Sequence, residues 1–287
     1  MSHKSWSELR DMLRQYRDDS VRQSQDVVDM YEELAQNVQK LGDEQWLVLE
    51  QVTIAALDVH NMDLANNCLI RLNDQFPGSN RVRKLKAMRL EALGRYEEAL
   101  LIIDNLIAKD ETNASIRKRK VAIFKAQNKF VEAIKELTDY LKIFMADQEA
   151  WLELCDLYLE QQDLSKAAFC MEEVILHNPH NPLFLQRYGD IKYTQGGYDN
   201  WEMARAYYVR AAQLQKGHIR SLYGVLLCCT QIMQSPKCPS LKKKECVKLA
   251  EWASKELSQQ YADVEGETEN LSPGLEGLIS ALQIKDS

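Results

Sequence analysis

An alanine recurs along the chain with a fixed period, and that period limits the fold more than any other feature. Ala65, Ala99, Ala133 and Ala167 are each 34 residues apart, and Ala204 follows after 37. Three positions before each stands a large apolar residue: Met62, Tyr96, Phe130, Leu164 and Trp201. Four positions after come Leu69, Ile103, Leu137, Met171 and Tyr208, and seven after come Leu72, Leu106, Tyr140, Val174 and Ala211. Offsets of 4 and 7 mark one face of a helix. Twelve positions upstream of the alanine a mostly small residue recurs: Thr53, Ala87, Val121, Cys155 and, allowing a three-residue insertion, Gly189. Each period therefore holds two antiparallel helices, A and B, that approach closely where their small residues meet. Such a pair cannot bury its apolar face alone, so several must stack.

This pattern resembles the tetratricopeptide repeat. The fourth unit fits best, with Trp151, Leu154, Tyr158, Ala167 and Pro179 at that family's positions, although Cys155 stands where Gly or Ala is usual. Pro77 and Pro179 end the first and fourth units, because proline cannot continue a helix; Glu111 and Met145 replace it in the second and third. The expected fold is an all-α solenoid, a right-handed superhelix of antiparallel helix pairs with N-terminal capping helices. Residues 43–216 give five pairs. Residues 217–260 read as a sixth, irregular pair, with helices over 220–231 and 241–259. Upstream, 1–42 holds two capping helices, over 7–18 and 26–41. The remainder, 261–287, reads as a flexible acidic link over 262–273 and a short helix over 275–284.

Composition agrees and excludes other classes. Apolar residues make up 45% of the 287, too many for wholesale disorder. Eleven Gly and six Pro leave little punctuation for the turns of a sandwich or barrel. Charge, 36 − 43 = −7, disfavours nucleic acid as a partner. No window approaches the ~18 consecutive apolar residues of a membrane span. The polar start, Met1-Ser-His-Lys-Ser-Trp-Ser-Glu, lacks the apolar core of a secretory signal. Seven cysteines without a Cys-x-x-Cys pair read as reduced, packing thiols.

No phosphate loop, nucleophile elbow or metal-binding motif occurs, so no residue is assigned as catalytic, no metal ligand is named and no cofactor is expected. His177-Asn-Pro-His180 reads as a polar turn between units rather than a ligand pair. Cys228-Cys229 lies on a helix, where adjacent residues point ~100° apart, and reads as buried packing rather than a redox pair. Gly196-Gly197 marks a turn that needs positive φ.

Binding is the remaining role. Helix A residues line the concave side of such a superhelix, here Lys84, Met88 and Glu91; Lys118, Ala122 and Lys125; Leu152, Asp156 and Leu159; and Gln186, Asp190 and Tyr193. The groove runs from basic to apolar and acidic, which suits an extended peptide with its own charge gradient. The 34-residue offset also superposes Arg83 on Arg117, Lys84 on Lys118 and Lys86 on Lys120, a basic stripe. It reads either as a solvated face balanced by nearby glutamates, or as a docking patch for an acidic segment or anionic headgroups.

Longer strings carry a more specific resemblance. Phe76-Pro-Gly-Ser-Asn-Arg-Val-Arg, Arg117-Lys-Arg-Lys-Val-Ala-Ile, Asp147-Gln-Glu-Ala-Trp151, Lys166-Ala-Ala-Phe-Cys170, His177-Asn-Pro-His180 and Tyr193-Thr-Gln-Gly-Gly197 are similar to those of subunit 2 of the ER membrane protein complex. The likeness runs from about residue 6 to 283 and weakens after 258. It implies a non-enzymatic scaffold, peripheral on the cytoplasmic face of the endoplasmic reticulum, in an insertase that places tail-anchored and some multipass segments into the bilayer. It also implies partners: the cytosolic parts of the complex's subunits 3 and 5, and soluble subunit 8 or its paralogue. The competing reading is a free co-chaperone that gathers client or chaperone peptides.

Overall fold

The computed structural model describes residues 5–264, and fourteen α-helices with no strand make up these described residues. The cap is α1 (Trp6–Asp18) and α2 (Ser24–Leu34), followed by a 3-10 segment, Ala35–Leu41. Five helix pairs follow: α3 (Glu44–Asp58) with α4 (Met62–Gln75), α5 (Asn80–Ala92) with α6 (Tyr96–Lys109), α7 (Ala114–Ala126) with α8 (Phe130–Leu141), α9 (Gln148–Glu160) with α10 (Leu164–His177), and α11 (Pro182–Gln195) with α12 (Tyr198–Leu214). Helices α13 (Ile219–Gln234) and α14 (Ser240–Val264) come last. The chain separates into two compact units, with the division inside α8 between Glu136 and Leu137.

The 34-residue period is a packing period. Ala65, Ala99, Ala133, Ala167 and Ala204 are all 0% exposed, as are Thr53, Ala87, Val121 and Cys155 twelve positions earlier. The residues four and seven after each alanine are buried too, while those three before it are half-buried. Polar residues punctuate the ladder. Asn61, Asn113, Asp147, Asp163 and Asn181 each precede a helix and accept a first-turn backbone N–H at 3.0–3.3 Å. Each such cap contributes about 0.5–2 kcal/mol.

The turn from helix A to helix B repeats as well. A left-handed residue recurs every 34 positions: His60 (φ 61°), Gly94 (71°), Asn128 (57°), Gln162 (57°) and Gly196 (72°). In the first four the next N–H bonds the carbonyl five residues back, as in Asp163 to Tyr158 and Lys129 to Phe124, both at 2.9 Å. That bond closes a Schellman turn and satisfies a carbonyl that the helix end leaves open.

Two glycines serve close approach. The Tyr208 ring of α12 is sandwiched between Gly189 of α11 and Gly224 of α13. A Cβ added at either would lie 2.9 Å or 2.7 Å from the ring. Gly189 thus fills the small-residue position of the fifth repeat because a tyrosine occupies the space a side chain would need.

The structure corrects the sequence expectations about several element bounds. The helix expected over 26–41 breaks after Leu34, and a 3-10 turn carries on. With about three residues per turn, Val38 and Leu41 fall on one side, and both are buried. Residues 262–264, expected as part of a link, are helical, since α14 continues to Val264. The helix expected over 275–284, with the rest of 265–287, lies outside the described residues. The last two helices, 16 and 25 residues long, are longer than expected. Cys246, Ala250, Ala253 and Leu257 of α14 are fully buried at helical spacing.

Candidate partner-binding surface

In the first unit the A helices and the cap together enclose a cavity of 480 Å³. Its floor is apolar, with Val27, Ile54, Leu85 and Met88; its walls carry Arg17, Arg22, Arg81, Lys84 and Arg119 with Glu50 and Asp58. The cap forms one wall because it is pinned by charge. Arg22 grips Asp58 through two bonds of 2.8 and 2.6 Å, and Ser24 reaches the same carboxylate at 2.7 Å. Arg14 and Arg17 both hold Glu44, at 2.8 and 2.6 Å. The hydrogen bond from Arg14 holds the Glu44 carboxyl below the usual range, and that from Arg22 does the same for Asp58. Opposite the cap, Arg81 pairs with Glu50 at 2.5 Å and Arg119 with Glu91 at 3.0 Å. Burial nevertheless pushes the Glu91 carboxyl up, against the pull of Arg119.

The basic stripe divides once placed on its helices. Lys84 lines the cavity beside Met88, and its ammonium reaches the Ser115 hydroxyl at 3.1 Å. Lys86, two residues on, points toward helix B and bonds Asn73 of α4 at 2.7 Å. Lys120 also faces the B helices, bridging Asp104 of α6 and Glu136 of α8, each at 3.0 Å. Those two are structural cations. Arg83 and Lys118 are half-buried, as is Lys125. Arg117 has its guanidinium Nε and Nη1 buried without a hydrogen bond.

In the second unit, Leu159, Gln186 and Asp190 meet at a cleft of 520 Å³ with Arg187 and Arg220. Asp190 is not open to a ligand. Tyr208 donates to one of its oxygens at 2.6 Å; Gln186 and Arg220, the latter at 2.9 Å, hold the other. Burial and that carboxylate raise the Tyr208 hydroxyl well above the ordinary tyrosine range. Asp156 is likewise engaged, by Arg187. Leu152 is half-buried on α9, and Tyr193 packs against the α12–α14 core. The acidic end of the expected groove is therefore mostly internal wiring, and its apolar members remain the accessible part.

Sequence reasoning missed the cap as a wall of the cavity. Arg22 and Asp58 lie 36 residues apart, and no periodicity links them. Arg119 lies inside the Arg117-to-Lys120 run but off the repeat position that lines the expected groove.

Among the described residues, no group of three or more His, Cys, Asp or Glu side chains is arranged to hold a metal, and no helix is long and apolar enough to cross a membrane. Burial raises the thiols of Cys155, Cys170 and Cys228 to about 11, 12 and 12. Cys246 differs: a hydrogen bond with Cys229, with Arg205 2.9 Å away, draws it down to about 7.

Antiparallel helix pairs that bury a small residue every 34 positions define a tetratricopeptide-repeat protein. The family described as "EMC2 TPR-like repeat domain" matches residues 62–199. ER membrane protein complex subunit 2-B of Xenopus laevis is 43% identical, the match covering 99% of this chain and 97% of that one. ER membrane protein complex subunit 2 of Dictyostelium discoideum is 32% identical over 88% of this chain and 82% of its own. TPR repeat protein oca3 of Schizosaccharomyces pombe is 32% identical over 79% of each. Among solved structures, the C-terminal part of a TPR repeat-containing protein from Cytophaga hutchinsonii shares the fold, with a TM-score of 0.60 at 12% identity over 94% of this chain and 99% of that one. The chain belongs to the family of ER membrane protein complex subunit 2.

Proposed function

We propose that the chain is a non-enzymatic scaffold subunit of the ER membrane protein complex, peripheral on the cytoplasmic face of the endoplasmic reticulum. In this reading it holds cytosolic segments of the membrane-embedded subunits, subunits 3 and 5, together with soluble subunit 8 or its paralogue. Insertion of tail-anchored and some multipass segments belongs to the membrane subunits, and this chain positions them. The observation that carries the reading is the 43% identity to a relative bearing that complex's name, sustained over 99% of the chain. An open apolar cleft supports it: Met145, 68% exposed, and Phe169, more than half exposed, line it together with Trp151 and Leu154. Large apolar groups in water favour a bound partner.

Of the groove residues, Lys84, Met88, Lys118, Lys125, Leu152 and Leu159 are the proposed contacts. A scaffold stabilised by its partners loses that stabilisation when they are absent. Depleting the membrane subunits should therefore shorten the half-life of this chain, measured by pulse-chase. An unchanged half-life would overturn the reading.

A further inference from the structure

The first-unit cavity has one charge left over, and it identifies the group that belongs there. Five cations surround it. Arg17, Arg22, Arg81 and Arg119 are each already held by a carboxylate of this chain: Glu44, Asp58, Glu50 and Glu91. Among the described residues Lys84 makes no ion pair, and a serine hydroxyl is its partner. The ammonium is half-buried, so it has lost part of its hydration without a carboxylate bonding it directly, a costly arrangement. Burial lowers its affinity for the proton, the Arg119 charge and then Arg81 lower it further, and only the Glu50 carboxylate, which is already held by Arg81, pulls the other way. An anion at Lys84 would offset both effects.

The surroundings narrow the choice of anion. The arginine forks that would grip a phosphate are filled, and Glu50 and Asp58 line the same cavity and repel a dianion. A single negative charge fits. The floor of Val27, Ile54, Leu85 and Met88 requires apolar groups beside that charge. The volume of 480 Å³ lies within the ~300–1,000 Å³ usual for ligand pockets.

We propose that Lys84 receives the carboxylate of an Asp or Glu side chain from an extended partner segment whose flanking apolar residues fill the cavity closed by the N-terminal cap. This rests on the scaffold reading above and adds the recognition chemistry to it. The cap is then part of the binding site, since the Arg22–Asp58 clamp holds the wall against which the segment lies.

The test is zero-length coupling on the complete assembly, purified through a tag on the full-length chain. A carbodiimide joins an amine to a carboxylate only when the two touch, and mass spectrometry reads which residues are joined. The expected product links Lys84 to an Asp or Glu of another subunit. Acetylation by acetic anhydride should label Lys84 at least about fivefold less in the assembly than in the free chain, as a desolvated contact of about 1 kcal/mol or more requires. Lys84→Gln should remove the cross-link and weaken retention of that subunit roughly tenfold, corresponding to about 1.4 kcal/mol. Equal labelling of Lys84 in both states would overturn the proposal. So would shielding without a cross-link, which would mean a headgroup or a non-acidic surface, or a cross-link to this chain's own carboxylates. In those cases the recovered subunits leave the scaffold reading standing. A chain that purifies without partners would instead overturn the scaffold reading itself.

Discussion

Gly224→Ala should destabilise the second unit although alanine is the better helix former. The new Cβ would stand 2.7 Å from Cε1, Cε2 and Cζ of Tyr208, too close for any real contact. The ring has no free direction of retreat. Gly189 backs its other side, and its hydroxyl is tied to Asp190 at 2.6 Å, a carboxylate already fixed by Gln186 and Arg220. If the ring holds, overpacking costs about 1–3 kcal/mol. If it moves, a hydrogen bond to a charged group is lost, worth about 1.5–3 kcal/mol. Against either stands the helix-propensity gain of about 1 kcal/mol. The net is a loss of up to about 2 kcal/mol, a fall in Tm of up to roughly 8 °C for a unit of this size. Thermal melts followed by circular dichroism read it directly. Tyr208→Phe serves as the partner in a double-mutant cycle, because cutting the tether lets the ring shift; in that background Gly224→Ala should cost measurably less. A Tm that rises in the single variant would refute the sandwich, because propensity alone would then govern the site.

Ala133→Leu and Ala167→Leu should each cost about 1–3 kcal/mol by overpacking fully buried positions, seen as lower denaturation midpoints. Gln162→Gly should stabilise by up to about 1 kcal/mol in urea melts, because glycine relieves the left-handed strain at φ 57° while losing some entropy on folding. Asp58 and Glu44 give the cap a pH dependence whose sign is fixed. Their folded values lie below the unfolded ones, so the stabilisation is present above about pH 4 and is lost as pH falls through the lower folded values. Hydrogen exchange over residues 6–34 should accelerate below about pH 4, relative to the core helices, and Asp58→Asn should raise exchange at neutral pH and reduce its acid sensitivity.

The repeat was legible because its signal is volumetric. A closely packed helix pair tolerates only a small residue at Ala99 or Cys155, and that demand recurs at the structural period. The left-handed turn recurs just as strictly, yet His60, Asn128 and Gln162 hide it beside Gly94 and Gly196. There the Schellman bond imposes the conformation whatever the residue, so composition carries no trace. The basic stripe divides for a geometric reason. Lys84 and Lys86, like Lys118 and Lys120, are neighbours in sequence but about 200° apart around a helix. One of each pair therefore faces the B helices, where Asn73, Asp104 and Glu136 meet it. Asp190 reads as an open groove acid in the sequence because the groups that hold it, Tyr208 and Arg220, come from later helices at separations of 18 and 30 residues. The cap's place in the cavity escaped for the same reason. Contacts between repeats are set by stacking, which a single period describes only where the repeats are alike.

The central claim is that this chain works as a bound scaffold, and purification from membranes tests it most directly. The full-length chain, tagged at its native level, should be isolated after mild detergent extraction of endoplasmic reticulum membranes and its companions quantified by mass spectrometry. The account predicts membrane-spanning subunits of the ER membrane protein complex in near-equimolar amounts with the tagged chain. Recovery of the chain alone, or with cytosolic chaperones and no membrane subunit, would contradict it.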